Sequence, residues 1–213
     1  MDETQSELIS YYRRRAGEYE AFYAKPERQA DLLLLKKKIA GILKRARVLE
    51  IACGTGYWTT VIASAAESVT ATDVAQEPMG IARAKAYPKN NVTFLEADAY
   101  ALPESLGRFD AAFAGFWWSH VPRQQIARFL ASLRARLEPG ATVLLLDSLF
   151  VEGNSTPISE VDAAGNTYQL RTLSDGSGFR VMKNYPSKED LRALLPAVHY
   201  RALQYHWLAQ YKT

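Results

Sequence analysis

"RVLEIACGTGYWTTVIA", residues 47–63, joins two apolar runs through Gly54 and Gly56, with Glu50 just ahead of the joint. Two glycines one residue apart mark a backbone that bends sharply or is approached closely by something. The first run reads as a strand and the second as a helix, so the glycines occupy a strand-to-helix turn. Downstream the pattern repeats. "SVTATDV" (68–74) leads into the helical "PMGIARAKAY" (78–87), "VTFLEAD" (92–98) is a third strand, and "FDAAFAGFW" (109–117) a fourth, followed by the helix "RQQIARFLASLRARL" (123–137). Glu138-Pro139-Gly140 is expected to stop that helix ahead of a fifth strand, "ATVLLLDS" (141–148). Near-continuous apolar strands alternating with helices predict an α/β fold: a mostly parallel sheet with helices on both faces.

The flanks read differently. "ELISYYRRRAGEYEAFYAKPERQADLLLLKKKIAGILKRA" suggests amphipathic helices interrupted near Lys25-Pro26, with the "RRR" and "KKK" runs as solvated faces. From Leu149, "VEGNSTPISEVDAAGN" reads as a mobile loop, and "TYQLRTL" with "FRVMKNY" as a β-hairpin around "SDGSG". Ser187 with Asp190 three residues on predicts a short capped helix, and "HYRALQY" and "WLAQYK" two closing strands. The expected organisation is a single domain over 1–213, with an N-terminal helical part (1–46), a core (47–148) and a variable part carrying the loop, hairpin and last strands (149–213).

Composition narrows the classes. The chain has 213 residues and a net charge of +3, too weakly basic to argue for nucleic acid. No apolar run approaches the ~20 residues that span a bilayer, and "MDETQSELIS" resembles neither a signal nor a transit peptide. Cys53 is the single cysteine, which excludes an internal disulfide and suits a reducing cytoplasm. No metal is expected.

In an open α/β sheet a ligand sits beyond the carboxyl ends of the strands, where the strand order reverses. The dinucleotide pattern G-x-G-x-x-G/A is broken here, because "GTGYWT" places Thr59 third. An acid before the bend also disfavours a polyphosphate and favours a neutral or cationic ligand.

"VLEIACGTGYWT" resembles the first motif of the class I S-adenosylmethionine-dependent methyltransferases. "ATDVAQEPMGIARAKA", "FLEADAYALP", "FDAAFAGFWWSHVP" and "LRARLEPGATVLLLD" resemble the segments that follow it in that family, and "YYRRRAGEY" its helical lid. The resemblance covers roughly 48–147 and implies a Rossmann-like seven-stranded sheet that binds S-adenosylmethionine and releases S-adenosylhomocysteine. It implies that Asp73 accepts the ribose hydroxyls and Asp98 the adenine amino group, with the Ala99 amide on the ring. Val74 and Met79 would flank the adenine, while Ala52, Gly54 and Gly56 let backbone lie against ribose and methionine tail. Glu50 would bond, directly or through water, to the ammonium or the glycine-loop amides, with Gly115 and Phe116 closing the fourth-strand side. Tyr12 and Tyr19, seven apart on one helix face, would cover the cofactor, with Arg15 toward its carboxylate. Taken alone, Asp73 or Asp98 also reads as a helix cap, and Met79 equally as core.

For the acceptor, Trp117, Trp118 and His120 follow the fourth strand. Aromatic faces suit a flat acceptor, although at least one tryptophan is expected in the core. His120 is the candidate general base, with fixing of the loop as its alternative role. Arg171, Arg180 and Lys183 on the hairpin suit an anionic acceptor or simply keep an edge strand soluble. The expected activity is methyl transfer to a small aromatic or heterocyclic metabolite at O, N, S or C. The alternatives are a quinone-precursor C-methyltransferase and a non-catalytic binder of the cofactor. Monomer and homodimer both stay open.

Overall fold

The computed structural model describes residues 3–213. Seven strands form one sheet in the order β3-β2-β1-β4-β5-β10-β9, from β1 (Arg47–Ile51), β2 (Ser68–Asp73), β3 (Val92–Glu96), β4 (Phe109–Gly115), β5 (Leu137–Ser148), β9 (His199–Ala202) and β10 (His206–Lys212). The first five run parallel, and β10 is antiparallel to both β5 and β9. This is the Rossmann-like sheet that the strand pattern predicts. Its order reverses between β1 and β4, which opens a crevice at their carboxyl ends.

Central strands are apolar on both faces because both faces are covered. On one side Phe113 of β4 and Leu144 of β5 pack against α2 (Gln29–Ile42) through Leu32, Leu35 and Ile39, and against α3 (Tyr57–Ala65) through Trp58 and Ile62. The 32-35-39 spacing is one helix face, and it leaves the "KKK" run outside that buried stripe. On the other side Ala112, Val143 and Leu145 meet Phe129 and Leu133 of α5 (Ile126–Ala135) and Leu191 of α6 (Lys188–Leu194). The α6 cap is a capping box between Ser187 and Asp190, as its spacing predicts.

Two expectations need correction. Pro139 and Gly140 do not precede β5 but lie within it: Leu137 already pairs with Phe109, and a register irregularity separates that pair from Ala111–Thr142. Gly140 holds φ +75°, so the strand absorbs the bend without breaking. The 149–166 segment also carries order of its own, since β6 (Glu160–Val161) joins β7 (Thr167–Thr172) and β8 (Gly178–Met182) in a second, three-stranded sheet.

α1 (Glu3–Arg15) and the 3-10 turns Ala16–Phe22 and Pro26–Arg28 lie outside the two main layers. Leu8 and Tyr11 pack on Leu173 and Val181 of the hairpin. Arg13 pairs with Glu77 on α4 (Gln76–Arg83) at 3.3 Å, and Arg14 with Asp175 at 2.8 Å. The N-terminal helices therefore lie across the crevice, tied to both the core and the hairpin.

Candidate active site

The crevice holds two small cavities and adjoins a large one. The first, about 80 Å³, is walled by Ala52, Gly54, Thr55, Asp73, Val74, Ala75 and Pro78 from the core, Gly115, Phe116, Trp117 and His120 after β4, and Leu8, Ile9, Tyr12, Ala16 and Tyr19 from above. A pocket of about 20 Å³ continues it past Gly54 to Glu50, Cys53 and Tyr57.

Backbone geometry at the strand ends makes this space. Ala52 and Phe116, which follow β1 and β4, both hold positive φ (52° and 59°), a strained conformation for non-glycine residues that gathers at functional sites. Gly54 also has positive φ, and a Cβ there would meet nothing within 4 Å, so it faces open space. Gly56 differs: its Cβ would lie 2.8 Å from the Ala82 Cβ, and it lines none of these cavities. It serves the close approach of α4 to the N-terminus of α3.

Asp73 closes β2 with both oxygens engaged. The Gly54 amide donates to Oδ2 (2.8 Å) and the Ala75 amide to Oδ1 (2.9 Å). Burial raises its pKa, partly offset by these amides. Glu50 is 2% exposed, and its Oε2 has no partner among the described residues. Burial, and then the neighbouring Asp73, push its pKa up to about 8. A buried carboxyl of this kind, left unpaired beside a cavity, awaits a cation.

Other expected residues lie elsewhere. Met79 is fully buried in the core beside α2 and α3, and Pro78 faces the cavity in its place. Asp98 is exposed and accepts the Tyr100 amide at 2.9 Å; neither it nor Ala99 lines these cavities. Trp118 is core, whereas Trp117 lines the smaller cavity. Arg15 stacks on Tyr11 and Tyr19 (5.5 and 5.1 Å) and faces the large cavity. Arg180 pairs with Glu160 at the surface.

The large cavity, about 480 Å³, lies between the N-terminal helices, the 148–156 loop and β7. Tyr12, Tyr19 and Phe116 belong to its wall and to that of the smaller cavity. Lys183 enters its floor 5% exposed, donating to Ser119 Oγ (2.6 Å) and Asp147 Oδ1 (2.7 Å). Asp147, fully buried, would be raised by burial, but Lys183 and His120 bring it below the usual carboxylate range. Arg171 is partly buried on the opposite wall, its Nη2 and Nε donating to Gln169 Oε1 (2.8 and 3.2 Å) with no acidic partner.

His120 sits at the junction. Its Nδ1 lies 2.6 Å from the Met182 carbonyl and must donate to it. Nε2 is then the acceptor of the Tyr12 hydroxyl at 2.7 Å. Burial, then Lys183, drive the His120 pKa well below 6.5, so the ring is neutral at physiological pH.

Sequence reading missed Asp147, Ser119, Arg28 and Thr55. Thr55 donates to Glu20 Oε1 at 2.7 Å and so ties the glycine turn to the N-terminal helices. Asp147 ends an apolar strand, a signal of the kind that identified Asp73; the others carry none.

Residues 48–140 match the family model described as a methyltransferase domain. Along nearly its full length the chain is similar to DhpI. It is 30% identical to the complex with SAM and HEP, covering 99% of this chain and 98% of that one at a TM-score of 0.81. The SAH complex gives 29% identity and 0.79. Among curated proteins, a demethylmenaquinone methyltransferase of Staphylococcus aureus (strain MRSA252) is 31% identical over 114 residues, 52% of this chain. The match spans 46% of that relative's length.

Proposed function

The chain belongs to the class I S-adenosylmethionine-dependent methyltransferases, and on that premise we propose that it methylates an oxyanion of a small acceptor held in the large cavity. The bound cofactor supplies an electrophilic methyl group on a sulfonium. Ala52, Gly54, Asp73, Val74 and Glu50, with Tyr12, Tyr19 and Phe116, hold it in the crevice. The acceptor rests in the adjoining large cavity, its oxyanion reaching the methyl group between the rings of Tyr12, Tyr19 and Phe116.

One observation carries the reading. Arg15, Lys25, Arg28, Arg171 and Lys183 line the large cavity against one carboxylate, Glu18. Lys183 is already paired with Asp147, but no ion pair among the described residues takes up Arg15, Arg28 or Arg171. Cationic walls of this kind select an anion, and arginine suits carboxylate or phosphonate geometry through its paired N–H groups.

The titration of the two groups at the junction, His120 and Tyr12, supports the same reading. His120 resists protonation, and burial raises the Tyr12 phenol pKa. An acceptor that arrives ionised needs no base. Tyr12 and His120 then flank the opening where the two ligands meet: the acceptor oxygen bonds the methyl carbon as its bond to sulfur breaks, S-adenosylhomocysteine leaves as the neutral thioether, and the rate comes from alignment and exclusion of water. DhpI, which binds SAM and HEP together, provides a parallel for two ligands held at once.

A second reading, C-methylation of a quinone precursor, is favoured by the name of the Staphylococcus aureus relative. Titrating the S-adenosylhomocysteine complex with methylphosphonate, acetate and a short-chain naphthoquinol decides between them. The oxyanions should bind, and Arg171→Gln should weaken them at least ~10-fold, as loss of a charged hydrogen bond implies. Naphthoquinol binding without any oxyanion binding would reverse the choice.

A further inference from the structure

Arg28 forms a second cationic pole in the large cavity. It is 6% exposed, stacked 4.1 Å from the Phe22 ring centre and 5.6 Å from that of Tyr205. Only its Nη2 is bonded, to Asn154 Oδ1 at 3.0 Å; Nε and Nη1 are buried without a partner among the described residues. Two acids lie in its surroundings, and both are engaged. Glu27 turns to solvent and accepts from Asn154 Nδ2 (3.1 Å). Asp31 accepts the Gln204 and Tyr205 amides and bonds His206 Nδ1. The Arg28 pKa is lowered by burial, which outweighs the attraction of Glu27 and Asp31, neither of which is paired with it.

This pole is separate from the one at Arg171 and Lys183. Those two are anchored to Gln169, Asp147 and Ser119, whereas Arg28 is held by Asn154, Phe22 and Tyr205. Tyr185 lines the same cavity as a neutral phenol, and its hydroxyl accepts from Gln169 Nε2 at 2.9 Å. The wall near Arg28 is completed by Asn154, Ser155 and Thr156, which offer further polar groups. A volume of about 480 Å³ far exceeds what a lone oxyanion needs.

We propose that the acceptor is a dianion with its two charged groups at opposite ends, the methylated oxyanion at Arg171 and Lys183 and a second carboxylate- or phosphonate-type group at Arg28. The buried guanidinium then receives the planar or tetrahedral anionic oxygen set that no carboxylate among the described residues supplies. This inference rests on the methyl-transfer reading above and adds the chemistry of the acceptor's far end.

Calorimetric titration tests it, with the full chain saturated in S-adenosylhomocysteine. The probes are the dicarboxylates succinate through pimelate, 3-phosphonopropionate, and the monoanions butyrate through heptanoate and propylphosphonate. A dianion of matching length should bind at least tenfold more tightly than its monoanion, with a clear length optimum. Arg28→Gln should cost the dianion at least tenfold more affinity than the monoanion, and Arg28→Lys should cost it less. Melting curves with S-adenosylhomocysteine check that each variant is folded; should the Gln variant fail, the wild-type length series and the Lys variant still decide. Monoanions and dianions binding equally would overturn the second pole alone, as would a dianion preference that survives in Arg28→Gln. Failure of every anion to bind would overturn the anionic-acceptor reading itself.

Discussion

Asp73 and Glu50 lie near each other at the crevice, and burial raises the pKa of both, but only Asp73 has backbone amides that offset it. Asp73 has backbone amides on both oxygens, so part of its role is to brace the Gly54 turn. Asp73→Ala should raise the dissociation constant of S-adenosylhomocysteine about 10–100-fold, the value of one to two charge-assisted bonds. Unchanged affinity in calorimetry would assign it to bracing alone. Glu50 has no such amides, and its folded pKa of about 8 lies above that of an unfolded carboxyl. Between these values the folded state binds more protons than the unfolded one, so its contribution to stability falls as pH rises from about 4.5 to 8. Glu50→Gln should therefore raise the melting temperature of the ligand-free protein by several degrees at pH 8 and little at pH 5. The same substitution should weaken S-adenosylhomocysteine binding. Equal melting shifts at both pH values would mean that Glu50 is not protonated in the empty crevice.

The two glycines of the β1–α3 turn separate when the elements are considered. Gly56→Ala drives a methyl into Ala82 of α4, and overpacking of this sort costs about 1–3 kcal/mol before the positive-φ strain is added. Gly54→Ala meets no protein atom and should cost only the strain, about 1–2 kcal/mol, while filling the space the ligand needs. Urea denaturation and S-adenosylhomocysteine calorimetry on the pair should thus give opposite rankings; a matched loss in both assays would contradict this division. The turn itself was legible in the sequence, because glycines between two apolar runs of different period leave little choice. Which glycine faced a ligand and which a helix was not, since that depends on Ala82, 26 residues on. Nor could Leu137 be assigned to β5, because Pro and Gly locally signal a stop and only pairing with Phe109 overrides it. Lys183 was visible as a cation but its partners were not: Asp147 and Ser119 are 36 and 64 residues away and meet it only after the hairpin folds over the sheet.

For the molecule as a whole, the N-terminal helices are held by a small apolar cluster, Leu8 and Tyr11 on Leu173 and Val181, and by the polar contacts Arg13–Glu77, Arg14–Asp175, Thr55–Glu20 and Tyr12–His120. Exposed ion pairs among these contribute little, so residues 5–22 should exchange amide hydrogens faster than β1 or β4, and slow markedly when S-adenosylhomocysteine is added. Exchange in this segment that ignores the ligand would show that it does not open to admit it. The shared wall has a further consequence. Tyr12, Tyr19 and Phe116 bound both cavities, so whatever orders them for one ligand has already ordered them for the other. Linkage then requires reciprocity: an oxyanion that tightens S-adenosylhomocysteine by some factor must itself be tightened by that same factor, typically about 5–150-fold. On the proposed reading, methylation removes one negative charge from the acceptor, and the grip relaxes on both products together. The three shared aromatic rings would thereby make departure, like arrival, a joint event.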